Sequence, residues 1–195
     1  MARRPANRFR LVRGTHLFAS SVREALEEEP LRRVTPFPLT LSQLHLLKLM
    51  ARRGRHHVGQ VAHFLGVSAP AATRNVDKLE RLGLLSRLPR QGDRRATLLA
   101  VSPKARRLVR DYERAKRERL APVLATFPPE DIRQFVGLLE RFAVALFTPG
   151  ARGDRVCLRC SAYLDAECPI ALVRGGCPYQ DAEGAAAPCA NRGRA

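Results

Sequence analysis

A chain of 195 residues is long enough to bury one good hydrophobic core and to carry a small second module. Its hydrophobic content of 45% is ordinary for a globular protein, and no apolar stretch reaches the ~18 residues that a membrane-spanning helix needs. No apolar segment follows the basic N-terminus, so we expect neither a secretory signal nor a membrane anchor and place the protein in the cytoplasm.

The formal net charge of +17 indicates a polyanionic partner, although the preference for Arg over Lys can also reflect a GC-rich genome. The location of the charge is more informative than its total. Residues 52–119 hold 18 Lys or Arg against 6 Asp or Glu, so +12 of the +17 lies there. Such a concentration is typical of a nucleic-acid-binding surface. Binding to a membrane surface is disfavoured, because no exposed aromatic face opposes the basic residues.

The N-terminal region is predicted to contain a basic arm and one helix. Residues 1–10 are rich in Arg, and we expect this arm to be mobile. Apolar positions between residues 11 and 29 fit one helical face, and Pro30 is expected to end the helix. Residues 31–38 contain two more prolines, so this link is predicted to be extended.

A capping box marks the start of the second helix. The Thr40 hydroxyl can accept a hydrogen bond from the Gln43 amide while the Gln43 side chain returns to Thr40. This helix is predicted to run to about Arg52. His56 and His57 follow on a predicted loop, where no third metal ligand is evident nearby, so a surface pair is favoured over a metal site.

Residues 58–82 have the pattern of a helix-turn-helix. Gly66 suits the left-handed conformation that ends the first helix, and Ser68 suits the cap of the second. The second helix is predicted from about Ala69 to Leu82. Its inward stripe, at helical spacing, consists of Ala72, Val76 and Leu79.

The outward face of this second helix is short, polar and mostly basic. If it docks N-terminus first in a major groove, its first turns face base edges and its later turns lie nearer the phosphates. The predicted DNA-binding residues are Ser68, Ala69, Thr73 and Arg74 on the base side, and Lys78 and Arg81 on the phosphate side. An ordinary amphipathic core helix with a solvated face is the alternative.

A β-hairpin with a basic tip is predicted next. Two apolar runs, residues 84–88 and 96–101, flank a turn rich in Pro, Gly and Arg. An Arg on such a tip can enter a narrow minor groove, and Asp93 can orient it by a charge-assisted hydrogen bond. The predicted wing residues are Arg90, Asp93, Arg94 and Arg95. The alternative, a solvated surface hairpin, is disfavoured directly after a helix-turn-helix.

Two long helices complete this part of the chain. Ser102 followed by Pro103 is typical of a helix start, and Pro122 is expected to kink or end that helix. The final helix is predicted from about Pro129 to Phe147. Its apolar stripe is too wide for one small core, which predicts packing against the first helix and a partner subunit.

Four runs carry a specific family resemblance: L-T-L-S-Q from Leu39, V-A-H-F-L-G-V-S, T-R-N-V-D-K-L-E-R-L-G-L-L-S-R, and D-R-R-A-T-L-L-A-V-S. They resemble the MarR (multiple-antibiotic-resistance regulator) family of winged-helix regulators, over about residues 11–147. The resemblance implies a mainly α fold with a small β-hairpin wing: a winged helix-turn-helix plus a helical dimerisation region. It also implies a homodimer that binds a pseudo-palindromic operator in double-stranded DNA, often represses, and is often released by a small-molecule effector or an oxidant.

Carried over from the family, the recognition contacts fall on Ser68, Thr73 and Arg74, and the wing pair on Asp93 and Arg95. Two features depart from the family pattern. Ala105 stands where the family usually has Gly after the wing, which is harmless if that helix starts earlier. Alanines at positions 71 and 72 replace polar residues common at the start of the recognition helix, so the bases that are read stay open.

A cysteine-rich module follows a predicted hinge at residues 148–154. Its spacing is C-x2-C-x7-C-x8-C, and the predicted metal ligands are Cys157, Cys160, Cys168 and Cys177. In a cytosolic protein such spacing points to metal binding, with disulfide-forming or uncoordinated thiols as the alternative. Two Cys-Pro dipeptides favour a [4Fe-4S] cluster over zinc. Cys189 lies further along, and no role is assigned to it.

These features predict two domains, residues 1–149 and 150–195, in a sequence-specific transcription regulator that acts as a repressor. The thiol module would make it responsive to redox or metal state by altering the angle between two DNA-binding lobes. No nucleotide loop, matched nucleophile and base, or flavin motif is present, so we predict no enzymatic activity. The alternatives are an electron-transfer protein whose active part is the cysteine cluster, and a non-specific nucleic-acid binder.

Overall fold

The structure is a computed structural model, and it describes residues 4–54, 56–90, 93–147, 156–160 and 167–177. Within these ranges the chain is mainly helical with one small three-stranded antiparallel sheet, which confirms the predicted fold class. Among the helices of the described ranges, none combines the length and the hydropathy of a membrane span.

The N-terminal helix is longer than predicted. Helix α1, Arg4–Val22, continues through a π-helical turn, Arg23–Glu28, into α2, Glu29–Val34. The basic arm is therefore helical from Arg4, and Pro30 does not end the helix. In a regular α-helix the Pro30 ring would clash with the carbonyl four positions back, and the wider π-turn lies at that place.

Helix α3, Leu41–Arg53, begins with the predicted capping box. The Gln43 amide donates to Thr40 Oγ1 at 3.2 Å, and the Thr40 amide donates to Gln43 Oε1 at 3.1 Å. The helix is the centre of the core, because five of its apolar side chains are fully buried. These are Leu44, Leu46, Leu47, Leu49 and Met50.

The prediction of a loop at the two adjacent histidines is wrong. His56–His57 forms strand β1, which pairs with a later strand of the sheet. The His56 ring is fully buried and lies edge-to-face on Phe64, with 5.3 Å between the ring centroids. A strand sends successive side chains to opposite faces, so the pair cannot form one surface site.

The predicted helix-turn-helix is present as α4, Val58–Leu65, and α5, Ala69–Arg81. Gly66 lies between them with φ 62° and ψ 41°, the left-handed conformation that ends α4. The predicted inward stripe of α5 is confirmed, since its three side chains are fully buried. Ser68 occupies the predicted N-cap position of α5. Its side chain, however, makes no capping hydrogen bond.

The sheet follows directly. Strand β2, Leu85–Arg90, pairs with β3, Asp93–Val101, and the strand order is β1-β3-β2. Leu85 lies opposite Val101, and the pairing becomes irregular between Pro89 and Arg90. The strands reach closer to the tip than the sequence predicted, because Pro89 is part of β2 rather than of the turn.

Two helices follow: α6, Pro103–Leu124, and α7, Pro129–Leu146. Ser102 Oγ accepts from the Ala105 amide at 3.1 Å, which confirms the predicted cap. Ala105 is fully buried, and α6 has already begun two residues earlier. The helix continues through Pro122 and ends two residues later. We call residues 41–124 the winged-helix lobe.

Candidate nucleic-acid interface and cysteine segment

The predicted base-reading residues lie together on the exposed side of α5. Ser68 and Ala69 are exposed at its N-terminus, and Thr73 and Arg74 are exposed one turn later. Thr73 Oγ1 donates to the Ala69 carbonyl at 3.0 Å, which leaves the oxygen lone pairs as acceptors. The exposed face of α5 therefore carries short polar groups and one guanidinium, and a helix with such a face fits into a major groove.

The predicted phosphate-side residues occupy the C-terminal half of the same helix. Arg81 is exposed and Lys78 is half-buried, so both positions retain contact with solvent. Lys104 and Arg106 on α6, by contrast, are engaged within the lobe: Lys104 Nζ donates to the Leu82 carbonyl at 2.8 Å, and Arg106 Nη1 donates to the Ala51 carbonyl at 3.0 Å. Part of the basic charge of residues 52–119 therefore stabilises the fold.

The orientation of α5 is set by a polar link that the sequence analysis missed. Gln43, besides completing its capping box, donates from Nε2 to Asn75 Oδ1 at 2.8 Å, and Asn75 Nδ2 donates to the Ala71 carbonyl at 2.9 Å. The start of α3 thus holds the recognition helix by a specific hydrogen bond. The only sequence signal for it was an Asn directly before Val76 of the predicted inward stripe.

A second missed contact joins the wing to α5. Arg87 on β2 pairs with Asp77 at 2.5 Å and with Glu80 at 2.8 Å. The hydrogen bond that Arg87 donates to the Asp77 carboxylate raises the pKa of the guanidinium above its ordinary value. Asp77 and Glu80 are acids on the recognition helix and would repel phosphates, so this pairing offsets an unfavourable charge beside the candidate interface.

Near the tip of the wing the structure describes the backbone of the strands and not the side chains. Strands β2 and β3 include positions Arg90, Asp93, Arg94 and Arg95. The side chains of these four residues lie outside the described part of the structure, so the proposed wing contacts stay predictions.

An apolar groove of about 580 Å³ lies between α1, the end of α6 and the start of α7. Phe18 of α1 packs edge-to-face on Phe135 of α7, with 5.7 Å between ring centroids. No residue of α7 is buried, and Phe135 and Leu138 are 46% and 61% exposed. The other aromatic and aliphatic lining residues include Val22, Leu26, Val123 and Phe127.

The cysteine segment, residues 156–160 and 167–177, begins with a helical turn at residues 156–159 and includes helix α8, Pro169–Arg174. The thiols of the predicted ligands are half-buried, and none of the four is in a disulfide: Cys157, Cys160, Cys168 and Cys177. The predicted hinge and Cys189 lie outside the described residues.

Burial raises the pKa of the Cys157 thiol to about 11, nearby Arg174 opposes this shift, and the other three thiols add to it. The other three thiols are thus near enough to Cys157 to act on it electrostatically. Within the described residues, however, no three His, Cys, Asp or Glu side chains converge closely enough to hold a metal ion. The metal site remains a prediction.

The fold and the exposed face of α5 define a winged helix-turn-helix protein. The MarR family model matches residues 39–97, the region from the capping box to the wing. The chain is similar to RV1404 from Mycobacterium tuberculosis, with 26% identity, a TM-score of 0.64 and coverage of 70% of this chain and 92% of that one.

Two further solved structures support the fold. A MarR family protein from Bacillus stearothermophilus is 23% identical with a TM-score of 0.57, over 70% of this chain and 96% of that one. FabT from Streptococcus pneumoniae, solved in complex with DNA, is 21% identical with a TM-score of 0.58, over the same shares of each chain. The family model and one of these structures carry the name of the family that the sequence resembles.

Proposed function

We propose that this protein is a sequence-specific, DNA-binding transcription regulator. The observation that carries the proposal is the division of α5 into two faces: it buries Ala72, Val76 and Leu79 in the lobe and exposes Thr73 and Arg74 to solvent. The match of residues 39–97 to the MarR family model supports this assignment. The presence of DNA in the FabT structure supports it further.

In this proposal α5 enters a major groove with its N-terminus leading. Ser68, Ala69, Thr73 and Arg74 then face base edges, and Arg can bind guanine through two hydrogen bonds. Lys78 and Arg81 contact phosphates, and the basic wing follows the adjacent minor groove.

The working unit in this proposal is a homodimer. The apolar groove and the exposed face of α7 are best covered by a second copy of the chain, because each copy brings the same self-complementary apolar helices. A two-fold axis would then place two α5 helices about 34 Å apart, the separation of successive major-groove turns. Such a dimer would bind a pseudo-palindromic operator in the cytoplasm and repress by occupying it.

We also propose a metal centre at Cys157, Cys160, Cys168 and Cys177, with a [4Fe-4S] cluster favoured over zinc and with DNA binding dependent on its state. The two Cys-Pro dipeptides, at Cys168 and Cys177, support the iron-sulfur assignment. Anaerobic purification followed by iron, sulfide and zinc analysis tests it. Four iron and four sulfide per chain are expected, and stoichiometric zinc without iron would overturn the cluster assignment.

Gel shifts with genomic and random DNA across a range of salt concentrations test the main proposal. A sequence-specific regulator keeps a preferred fragment as salt rises, because base contacts depend less on salt than phosphate contacts do. Loss of every preference would indicate a non-specific nucleic-acid binder. No binding at all would favour an electron-transfer protein.

A further inference from the structure

The first two turns of helix α5 have few apolar contacts that could fix their rotation. The inward residues there, Ala72 and Val76, are fully buried but small, and the Ser68 side chain makes no capping hydrogen bond. Short side chains make few interlocking contacts, and apolar attraction is non-directional. This packing therefore sets the inward side of the helix, but it does not hold the rotation to within a few degrees.

A series of directional hydrogen bonds supplies this constraint. The Thr40 amide donates to Gln43 Oε1 at 3.1 Å, and Gln43 Nε2 donates to Asn75 Oδ1 at 2.8 Å. Asn75 Nδ2 in turn donates to the Ala71 carbonyl at 2.9 Å. The series thus runs from the start of α3 to the first turn of α5. We call the bond between Gln43 and Asn75 the interhelical link.

The α3 end of the link is anchored in the core. Gln43 is 5% exposed, and the next two residues along the helix, Leu44 and His45, are buried as well. The Gln43 amide also donates to Thr40 Oγ1 at 3.2 Å, so the capping box holds both the backbone and the side chain of Gln43. Because a hydrogen bond needs a short distance and a favourable angle, the link fixes α5 relative to α3.

The α5 end of the link lies beside the proposed base-reading residues. Asn75 directly follows Thr73 and Arg74, which are exposed, and is itself half-buried. Asn is a poor residue for a helix interior, because its side chain competes for backbone hydrogen bonds. Here both polar atoms of its amide are engaged within the lobe, by Gln43 and Ala71. The side chain is therefore suited to holding α5 rather than to reading a base.

We propose that Gln43 and Asn75 are positioning residues that determine the sequence preference of α5. This role rests on the proposed function, since it assumes that α5 reads base edges. Side chains extend about 5 to 6 Å from a helix axis, so a rotation of about 10° displaces their polar groups by about 1 Å. The donor–acceptor distance of a hydrogen bond varies by only about 0.5 Å. Loss of the link should therefore weaken base reading more than phosphate binding, which depends mainly on charge.

A double-mutant cycle in the full-length protein tests the link. Fluorescence anisotropy measures the affinity for the fragment that the wild-type protein prefers and for random DNA, and the ratio of the two is the specificity. Gln43→Ala and Asn75→Ala should each lower this ratio about tenfold, the scale of one buried hydrogen bond. Affinity for random DNA should change little.

The double variant should lose no more specificity than either single variant, because the same bond is removed in all three. A double variant whose loss equals the product of the two single losses would show that the residues act independently. That result, or an unchanged ratio in either single variant, would overturn the positioning role.

Thr40→Val is the matched control for the stability of α3. It removes the hydroxyl that accepts from the Gln43 amide, but it keeps the backbone amide that donates to Gln43 Oε1. Thermal unfolding should show a loss of stability, while the specificity ratio should stay at the wild-type value. A loss of specificity as large as that of Gln43→Ala would contradict the proposal, because destabilisation alone would then explain both.

Hydrogen exchange without DNA separates this proposal from the proposed function. Amides in the first two turns of α5 should exchange faster in Gln43→Ala than in Thr40→Val, and equal exchange would contradict the link. A wild-type protein that prefers no sequence would overturn the proposed function, and the positioning role with it. A wild-type preference that Gln43→Ala retains in full would overturn the positioning role alone.

Discussion

The winged-helix lobe and helix α7 differ in how far their apolar residues are buried. In the lobe, Leu44, Val76 and Leu79 are fully buried within one chain, while α7 buries no residue and leaves Leu138 61% exposed. Burial of apolar area is the main favourable term in folding. The lobe therefore buries its apolar residues within one chain, whereas in our proposal the exposed apolar face of α7 is covered by a second copy. The two regions should accordingly respond differently to substitution.

The largest effect is expected from Phe135→Asp, which places a charge in the apolar groove. Monomers should form, and operator affinity should fall on the order of a thousandfold, the lower end of the gap between specific and non-specific binding. Light scattering and fluorescence anisotropy measure the two effects. Gln134→Asp adds the same charge to the adjacent exposed position and serves as the control. A Phe135→Asp dimer with full affinity would contradict the assignment of the groove.

Leu79→Ala tests the prediction that the lobe is stabilised by contacts within one chain. The truncation leaves a cavity in a fully buried site, so the free energy of unfolding should fall by about 2 to 5 kcal/mol. Chemical denaturation measures it. The loss should be the same at low and high protein concentration, whereas the effect of Leu138→Ala should depend on concentration. The opposite pattern would mean that the lobe, and not α7, carries the subunit interface.

Acid should weaken the lobe through His45. Burial and nearby positive charges lower the pKa of this imidazole from 6.5 to about 4, so the folded protein keeps it neutral. Below pH 6.5 the unfolded chain takes up a proton that the folded chain does not, and stability falls as the pH drops toward 4, by on the order of 3 kcal/mol.

Thermal unfolding across this pH range measures the effect. The His45→Gln variant should lose much of the dependence between pH 6.5 and 4, because the residue no longer titrates. His16→Gln, on the exposed side of α1, should retain it. An unchanged profile in His45→Gln would show that another group is responsible.

The smallest effects concern the two DNA-facing elements. Arg74→Ala should cost about 1 to 3 kcal/mol on the preferred site and relax the sequence preference. Arg95→Ala on the wing should weaken binding to all sequences about equally. Competition binding against random DNA separates the two outcomes, with folding checked by circular dichroism. An equal loss on every sequence from Arg74→Ala would count against its base-reading role.

Elements with local signals were predictable from the sequence. The capping box of Thr40 and Gln43, the left-handed turn at Gly66 and the buried stripe of α5 each depend on residues within one or two helical turns, and all three are confirmed. The positions of the proposed base-reading residues followed from the same periodicity.

Contacts between distant parts of the chain were not predictable in this way. Pairing of β1 with β3 buries His56, and Arg87 meets Asp77 and Glu80 only once β2 lies beside α5. Leu158 is one of several apolar residues in the cysteine segment, and no periodicity in the sequence distinguishes it from Val156, Leu172 and Val173, which are exposed. The sequence predicts the thiols beyond a hinge, whereas in the structure Leu158 belongs to the core cluster that contains the buried residues of α3.

Selection of bound fragments from genomic DNA by the full-length protein tests the central proposal most directly. A dimer that places two α5 helices in successive major grooves should enrich one two-fold symmetric sequence, with half-site centres about 10 base pairs apart or a multiple of that spacing. Enrichment of no sequence, or of a single unpaired half-site, would contradict it.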